Sequence, residues 1–365
     1  MHIESIQNFG FSILASAALL AALLFGCACS AENVTGPESE MADSGKVLGI
    51  AFETVQVSSL DRSIEYYRTL GFTLENQTDP TWTEDEAANR LYKTPGAASR
   101  TATLTIASTS SEHPFTLYLR EYRNIERDGR IDFPARHQSS PHFGLIVPEA
   151  DALWEQMSSA GILRPLSWEG KLIRMPGQTS GGIAYIRDPD GFNVEIVGMR
   201  QEPSESDATQ SRPTFHHLGH VVMNSDKAIA FYGDLLGGEF PETYPEWVGG
   251  DNYDAVVGGR GYIIRLINGN FAHAEAPQAS LPLELVEYQK PSLNAVEDYA
   301  YADIAVSCMG FQVEGLDAVY ARLKQAGIET WSEGGIVEMK DGSRAVVVRD
   351  PDIGAFIELF ETAEG

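Results

Sequence analysis

Two carboxylates stand alone on apolar strands, and each follows the same turn. In IRDPDGFNVEIV (186–197) Phe192, Val194 and Ile196 alternate with Asn193, Glu195 and Val197. That is the period of a strand with one apolar face and one face whose only charge is Glu195. VRDPDIGAFIELF (348–360) repeats the pattern with Glu358 and one extra residue, Ile353, before Gly354. Asp188 and Pro189 suit the first two places of a type I turn and Gly191 the fourth: proline presets φ, and the aspartate oxygen accepts a local backbone bond. Three histidines crowd into HHLGHVV (216–222), where alternation sends His217 and Gly219 to one face and His216, Leu218 and His220 to the other. Carboxylate and imidazole are the groups that proton transfer and divalent-ion binding use. Cys308 is the single thiol in the body of the chain.

A turn and a lone strand carboxylate that occur twice imply copies. Ile64 and Ile229 are 165 residues apart, Gly161 and Gly327 are 166, Leu117 and Leu283 are 166, and Asp188 and Asp350 are 162. Four anchors near one offset describe a tandem duplication. The domains run over 47–200 and 214–363, with a Ser/Glu/Pro-rich linker at 201–213. Each half divides again into a strand, a short amphipathic helix, turns and further strands. In the first helix Leu60, Ile64, Tyr67 and Gly71 fall at helical spacing, with Ser59 as N-cap and Gly71 just past the end. A later helix, 317–327, carries Val319, Leu323 and Ala326 on one side. The map is four βαβββ units in two pairs.

At 365 residues the chain holds about two domains of ~150 residues. Its net charge of -26 speaks against nucleic acid or an anionic membrane face as partner. Two of the three cysteines lie in the leader, so no disulfide framework is implied. No Gly-rich phosphate loop precedes a helix, and H-E-x-x-H, G-x-S-x-G and C-x-x-C do not occur, so nothing supports hydride transfer or a hydrolase triad. The uncharged run 11–25 is shorter than the ~20 residues of a spanning helix and fits the core of a signal peptide, residues 1–26. It ends in LFGC, which resembles the lipobox of bacterial lipoproteins. That resemblance implies a lipid anchor at Cys27 and a place in the cell envelope facing the periplasm, with Ala28 favouring the outer membrane. Its departure is the start, MHIESIQN, which has no Lys or Arg and carries Glu4. Residues 28–46 read as a flexible tether.

The order of strand, helix with I-x-x-Y, Ala-Gly-Ile, Asp-Pro-Asp turn and final strand with a glutamate resembles the vicinal oxygen chelate superfamily. This is the glyoxalase, bleomycin-resistance and extradiol-dioxygenase clan, and the likeness runs from about Val47 to Glu361. It implies an α+β fold in which four βαβββ modules pair into two tandem cups, one per half. Inward-facing ligands then come from the first and last strand of each module. The first-strand positions fall on Phe52, His142, His217 and Cys308, and the last-strand positions on Tyr118, Glu195, Glu284 and Glu358. Phe52 is no ligand, and a tyrosine with a pKa of about 10 is a poor one. The first half is left with His142 and Glu195, either a weak metal site or a scaffold cup. The second half offers His217, Glu284 and Glu358 to a divalent ion (Zn, Ni, Co, Fe or Mn). There Cys308 is either a fourth ligand or a small buried residue.

The activity so implied is a lyase, isomerase or epimerase that chelates a small substrate through two adjacent oxygens, with Glu284 and Glu358 flanking the metal and moving the proton. Extradiol dioxygenases use two His and one Glu, and the second half has no second His. Glutathione is scarce outside the cytoplasm, which counts against a glutathione-dependent glyoxalase. The competing class is a non-enzymatic binder of the bleomycin-resistance type. Arg265 is a candidate anion contact in the second cup; Arg187 and Arg349 reach either a substrate or Asp188 and Asp350. His216 and His220 pack under a helix or at the domain contact. Pairing of the halves within the chain or across a homodimer stays open.

Overall fold

The computed structural model describes residues 45–77, 81–129, 141–175, 181–199, 212–290 and 299–363. The leader with Cys27, the tether up to residue 44 and linker residues 201–211 lie outside them. The first module runs β1 (Lys46–Val57), α1 (Leu60–Thr69), β2 (Thr73–Gln77), β3 (Thr83–Glu84), α2 (Glu86–Tyr92), β4 (Ala98–Ile106), β5 (Phe115–Arg123). The second is β6 (His142–Val147), α3 (Ala150–Ser159), β7 (Gly182–Arg187), β8 (Asn193–Gly198). The third is β9 (Thr214–Val222), α4 (Ser225–Ile229) widening into a π-helical stretch (Ala230–Leu235), β10 (Val248–Gly249), α5 (Asp251–Val257), β11 (Ile263–His273), β12 (Ala276–Lys290). The fourth is β13 (Ser307–Glu314), α6 (Leu316–Gln325), β14 (Val337–Glu338), β15 (Arg344–Arg349), β16 (Phe356–Glu361). No described helix is long and apolar enough to cross a membrane.

The α+β, four-module architecture is the expected one, but the modules pair differently. β1 lies antiparallel to β13, giving the order β14-β15-β16-β13-β1-β5-β4, so the first module lies beside the fourth, while one parallel pair, Ile50 with His273, ties β1 to β11 and joins this run of strands to the next. β6 lies antiparallel to β9, giving β7-β8-β6-β9-β12-β11-β10, so the second module shares a sheet with the third. Neither half closes a cup on itself, and both interlock within the compact unit Asp43–Gly365.

Side-chain fit explains the choice. Across β6 and β9 the imidazoles of His142 and His217 each stand opposite a glycine, Gly219 and Gly144. A Cβ on Gly219 would sit 2.0 Å from His142 Cε1. Pairing within the first half, in the register β1 adopts with β13, would set Thr54 opposite His142, where a branched side chain cannot fit. Thr54 instead faces the small Cys308, and the large Phe52 faces Gly310.

The faces turned away from the cups bury Phe143, Leu145, Val194, Leu283 and their equivalents in one core with α1, α3, α4 and α6. Ala326, which spacing puts on the buried side of α6, is exposed. Within each half it is this helix layer that joins the modules, through the Asp-Pro-Asp turns. Asp188 Oδ1 accepts the backbone N–H of Asp190, Gly191 and Phe192 at 2.7–2.8 Å, as the turn chemistry predicts, and Tyr67 donates to Oδ2 at 3.0 Å. Asp190 accepts the Ser58 N–H at 2.9 Å and pairs with Arg62 at 2.6 Å, closing the start of α1. In the second copy Asp350 holds the turn, and Asp352 accepts the N–H of Met223 and Asn224 ahead of α4. Burial pushes the carboxyls of Asp188 and Asp350 up to about 6.

Candidate metal centre

All four modules keep one register: two residues past the first-strand position, the chain lies opposite the last-strand position. Gly144 faces Glu195, Gly219 faces Glu284, Gly310 faces Glu358 and Thr54 faces Tyr118. The eight positions carried over from the resemblance are therefore structurally equivalent. Their grouping follows the sheets, not the halves.

Cup two, between the second and third modules, gathers His142, Glu195, His217 and Glu284. His142 Nε2 lies 3.2 Å from His217 Nε2. Glu284 Oε2 is 3.6 Å from the first and 3.8 Å from the second, and Glu195 Oε2 is 3.3 Å from His217 Nε2. Both imidazoles are buried, and both carboxylates are nearly so. One ligand atom from each of His142, His217 and Glu284 falls within 4.8 Å of the others. Donors bound at ~2.1 Å to one ion stand ~3.0–3.4 Å apart in tetrahedral or octahedral arrangements. The donor set, its spacing and the two glycines that leave room for the rings fit a divalent cation.

The electrostatics agree. Burial raises the Glu284 carboxyl, but the imidazoles of His142 and His217 outweigh it and hold it below the usual carboxylate range. Burial lowers His217, yet Glu195 and Glu284 outweigh that and raise it. Burial, with Glu195 and Glu284, drives the Tyr185 hydroxyl well up, so it stays protonated 3.1 Å from His142 Nε2.

Several expectations are corrected here. Glu358 and Cys308 do not join His217; they lie in cup one, where Glu358 accepts a bond from Tyr92 at 3.1 Å and the Cys308 thiol is fully buried. Burial, then Glu358 and Glu53, push that thiol well up, so a thiolate ligand is disfavoured. The second histidine thought to be missing is His142. Arg265 is no cup residue: it lies on the opposite face of β11 from the residues beside Glu284, pairs with Glu287, and is sandwiched by Tyr244 and Trp247 at 4.5 and 4.6 Å. His220 packs beneath the helix layer as expected, bonded to Tyr232 at 3.1 Å, and burial with nearby His142 lowers it to about 3. His216, expected to face away, touches the site instead, its Nδ1 2.7 Å from His217 Nδ1.

The sequence reading missed Tyr185 and the glycines. Tyr185 pairs directly with Glu195 across β7 and β8, so strand register alone would have flagged it. The glycines were legible as H-x-G, in HFG and HLG. α5 bridges the cup, with Val256 packed on Met175, Ile183 and Tyr185, while Trp168 donates to the Gly259 carbonyl at 2.9 Å. We expect Gly219→Ala to push the His142 ring off its rotamer at a cost of about 1–3 kcal/mol. Metal content should fall further than stability does; unchanged metal by elemental analysis would mean the ring does not need that space.

The family model described as Glyoxalase/Bleomycin resistance protein/Dioxygenase superfamily matches residues 49–196 and again 214–359. An Arabidopsis thaliana protein named "Probable lactoylglutathione lyase, chloroplastic" is 31% identical over 108 residues, 28% of this chain and 25% of that one. Lactoylglutathione lyase GLX1 from the same plant is 28% identical over 99 residues, 26% of this chain and 29% of that one. The matched part thus spans less than a third of either relative. A point mutant of glyoxalase I from Zea mays has the same fold, with a TM-score of 0.51 at 18% identity over 87% of this chain and 94% of that one. With two matches that together cover most of its length, the chain belongs to the Glyoxalase/Bleomycin resistance protein/Dioxygenase superfamily.

Proposed function

We propose that cup two is the active site of a metal-dependent lyase or isomerase acting on a small molecule with two adjacent oxygens. The observation that carries this is the convergence of His142 and Glu195 from one half with His217 and Glu284 from the other. His142, His217 and Glu284 would hold a divalent ion, which when bound polarises neighbouring substrate oxygens and stabilises negative charge developing on them. Glu195 contacts only His217 of the imidazole pair, whereas Glu284 sits against both. Glu195 is therefore the freer carboxylate, the one to take a proton from a carbon beside the carbonyl and return it to the neighbouring atom. Tyr185 orients His142, and the apolar wall of Val221, Ile264, Val286 and Tyr288 keeps water from the developing charge.

Elemental analysis of the purified protein tests the metal reading: about one ion per chain is expected, lost with chelator and restored with the ion. No ion after reconstitution would end it. The activity screen starts with lactoylglutathione, since two relatives carry that name, and includes small oxo- and hydroxy-acids and catechols. With Cys27 anchoring the chain in the envelope, as the leader suggests, the glutathione-free substrates are the better candidates.

One observation favours ring cleavage as a second reading: two imidazoles and a carboxylate are the ligand set of non-haem iron oxygenases. It calls for Fe(II) and oxygen uptake with a catechol. Glu195 beside His217 favours proton transfer.

A further inference from the structure

Phe215 and His217 are two residues apart on β9, yet they face opposite ways. Phe215 is fully buried in the core, stacked on Phe115 at 3.9 Å and paired with Leu145, whereas His217 lies in cup two opposite Gly144. A regular strand returns to the same face every second residue. The reversal comes from His216, which has no counterpart on β6 between Leu145 and Gly144. It is the extra residue of a bulge, and a bulge re-aims the side chains at its centre. For this reason His216, which alternation sends away from the cup, stands beside His217, the two rings nearly perpendicular (85°) with centroids 5.0 Å apart. The same irregularity recurs where the first and fourth modules meet. There Ile50 pairs with Phe311 and Phe52 with Gly310, so Ala51 is the extra residue of β1. The bulge therefore belongs to the architecture, and only its occupant differs: a methyl group beside Phe52, an imidazole beside His217.

His216 Nδ1 lies 2.7 Å from His217 Nδ1, a hydrogen bond in which one nitrogen carries the proton and the other offers a lone pair. The far side of the His217 ring decides which. Its Nε2 faces cup two, 3.2 Å from His142 Nε2 and 3.3 Å from Glu195 Oε2. An imidazole that gives Nε2 to a cation keeps its one proton on Nδ1. We infer that His216 is a positioning residue: its Nδ1 accepts the Nδ1–H of His217, which fixes the tautomer and orientation of that ring and leaves Nε2 as the donor to a divalent ion. A partner bonded to the outer nitrogen of a ligating imidazole also makes the inner one more basic. His216 is not itself one of the converging donors, which are His142, His217 and Glu284. This role of His216 rests on the metal reading of cup two.

Proton–nitrogen correlation spectra of the whole chain, labelled at the histidine nitrogens and loaded with Zn(II), test it without any substitution. His217 should show a protonated Nδ1 and a zinc-bound Nε2, and His216 a bare Nδ1 with its proton on Nε2. Competition with a zinc chelator then measures affinity in two variants. His216→Leu should weaken zinc binding by about ten- to hundredfold, whereas His216→Asn, whose side-chain oxygen stands in for Nδ1 as acceptor, should recover most of it. Zinc on His217 Nδ1, a proton on His216 Nδ1, or wild-type affinity in His216→Leu would overturn the role of His216 and leave the metal reading standing. A chain that takes up no zinc would overturn both.

Discussion

Replacing His142 with alanine strips the protein of its ion as thoroughly as replacing His217 does, although the two lie in different halves of the duplication. Each removes one of three close donors, so affinity should fall by more than about a hundredfold, ~3 kcal/mol. Glu195→Gln should retain the ion and lose turnover by about 10²- to 10⁴-fold, the usual weight of a positioned proton carrier. Glu358→Gln and Cys308→Ala should leave metal content and turnover as they were, since both residues belong to cup one. Metal analysis and one kinetic assay on these five variants suffice. Loss of the ion in Glu358→Gln with retention in His142→Ala would restore the pairing within halves and sink the site.

The second large effect is on stability and lies at Glu53. Its side chain points away from cup one into the interior beside Ser307, 1% exposed, with Oε2 unpartnered. Burial pushes its carboxyl up to about 8, from an ordinary 4.5, against a smaller pull from Ser307. Between those two values the folded chain keeps a proton that the unfolded chain has released, so stability must fall as pH rises. The slope is about 1.4 kcal/mol per pH unit, on the order of 5 kcal/mol across the window. Glu53→Gln should flatten that slope in urea denaturation from pH 5 to 8. Asp188 and Asp350 share the sign of the effect, but only between their ordinary 3.8 and about 6, and both proteins retain them. Parallel slopes in the two proteins would show that Glu53 is not held protonated.

Much of this molecule could be read from its letters because the duplication makes them comparable. The resemblance named the eight cup positions, the common offset of the helices, the DPD turns and the strand glutamates aligned them, and the strands hold all eight in one register. What could not be read was which modules meet. A module's own ladder is local, whereas the choice of neighbour is made where two first strands touch, and there it turns on volume: Thr54 cannot stand opposite His142, and Gly219 can. The same blindness made Cys308 ambiguous. Beside Thr54 it is simply small enough, a property invisible until its neighbour is known. Tyr185 was hidden for another reason: its role comes from lying across from Glu195, not from any motif.

The exchange of partners also sets the order in which the protein can be born. β6 emerges from the ribosome with its inner edge bare until β9 follows, and β1 waits for β13, with Lys46 finally meeting Glu314. Through most of synthesis the nascent chain exposes open, apolar strand edges of the kind that recruit other chains. Such distant contacts also make closure slow. A cut after the first half would leave each fragment without the strands that its own first strands meet in the intact chain.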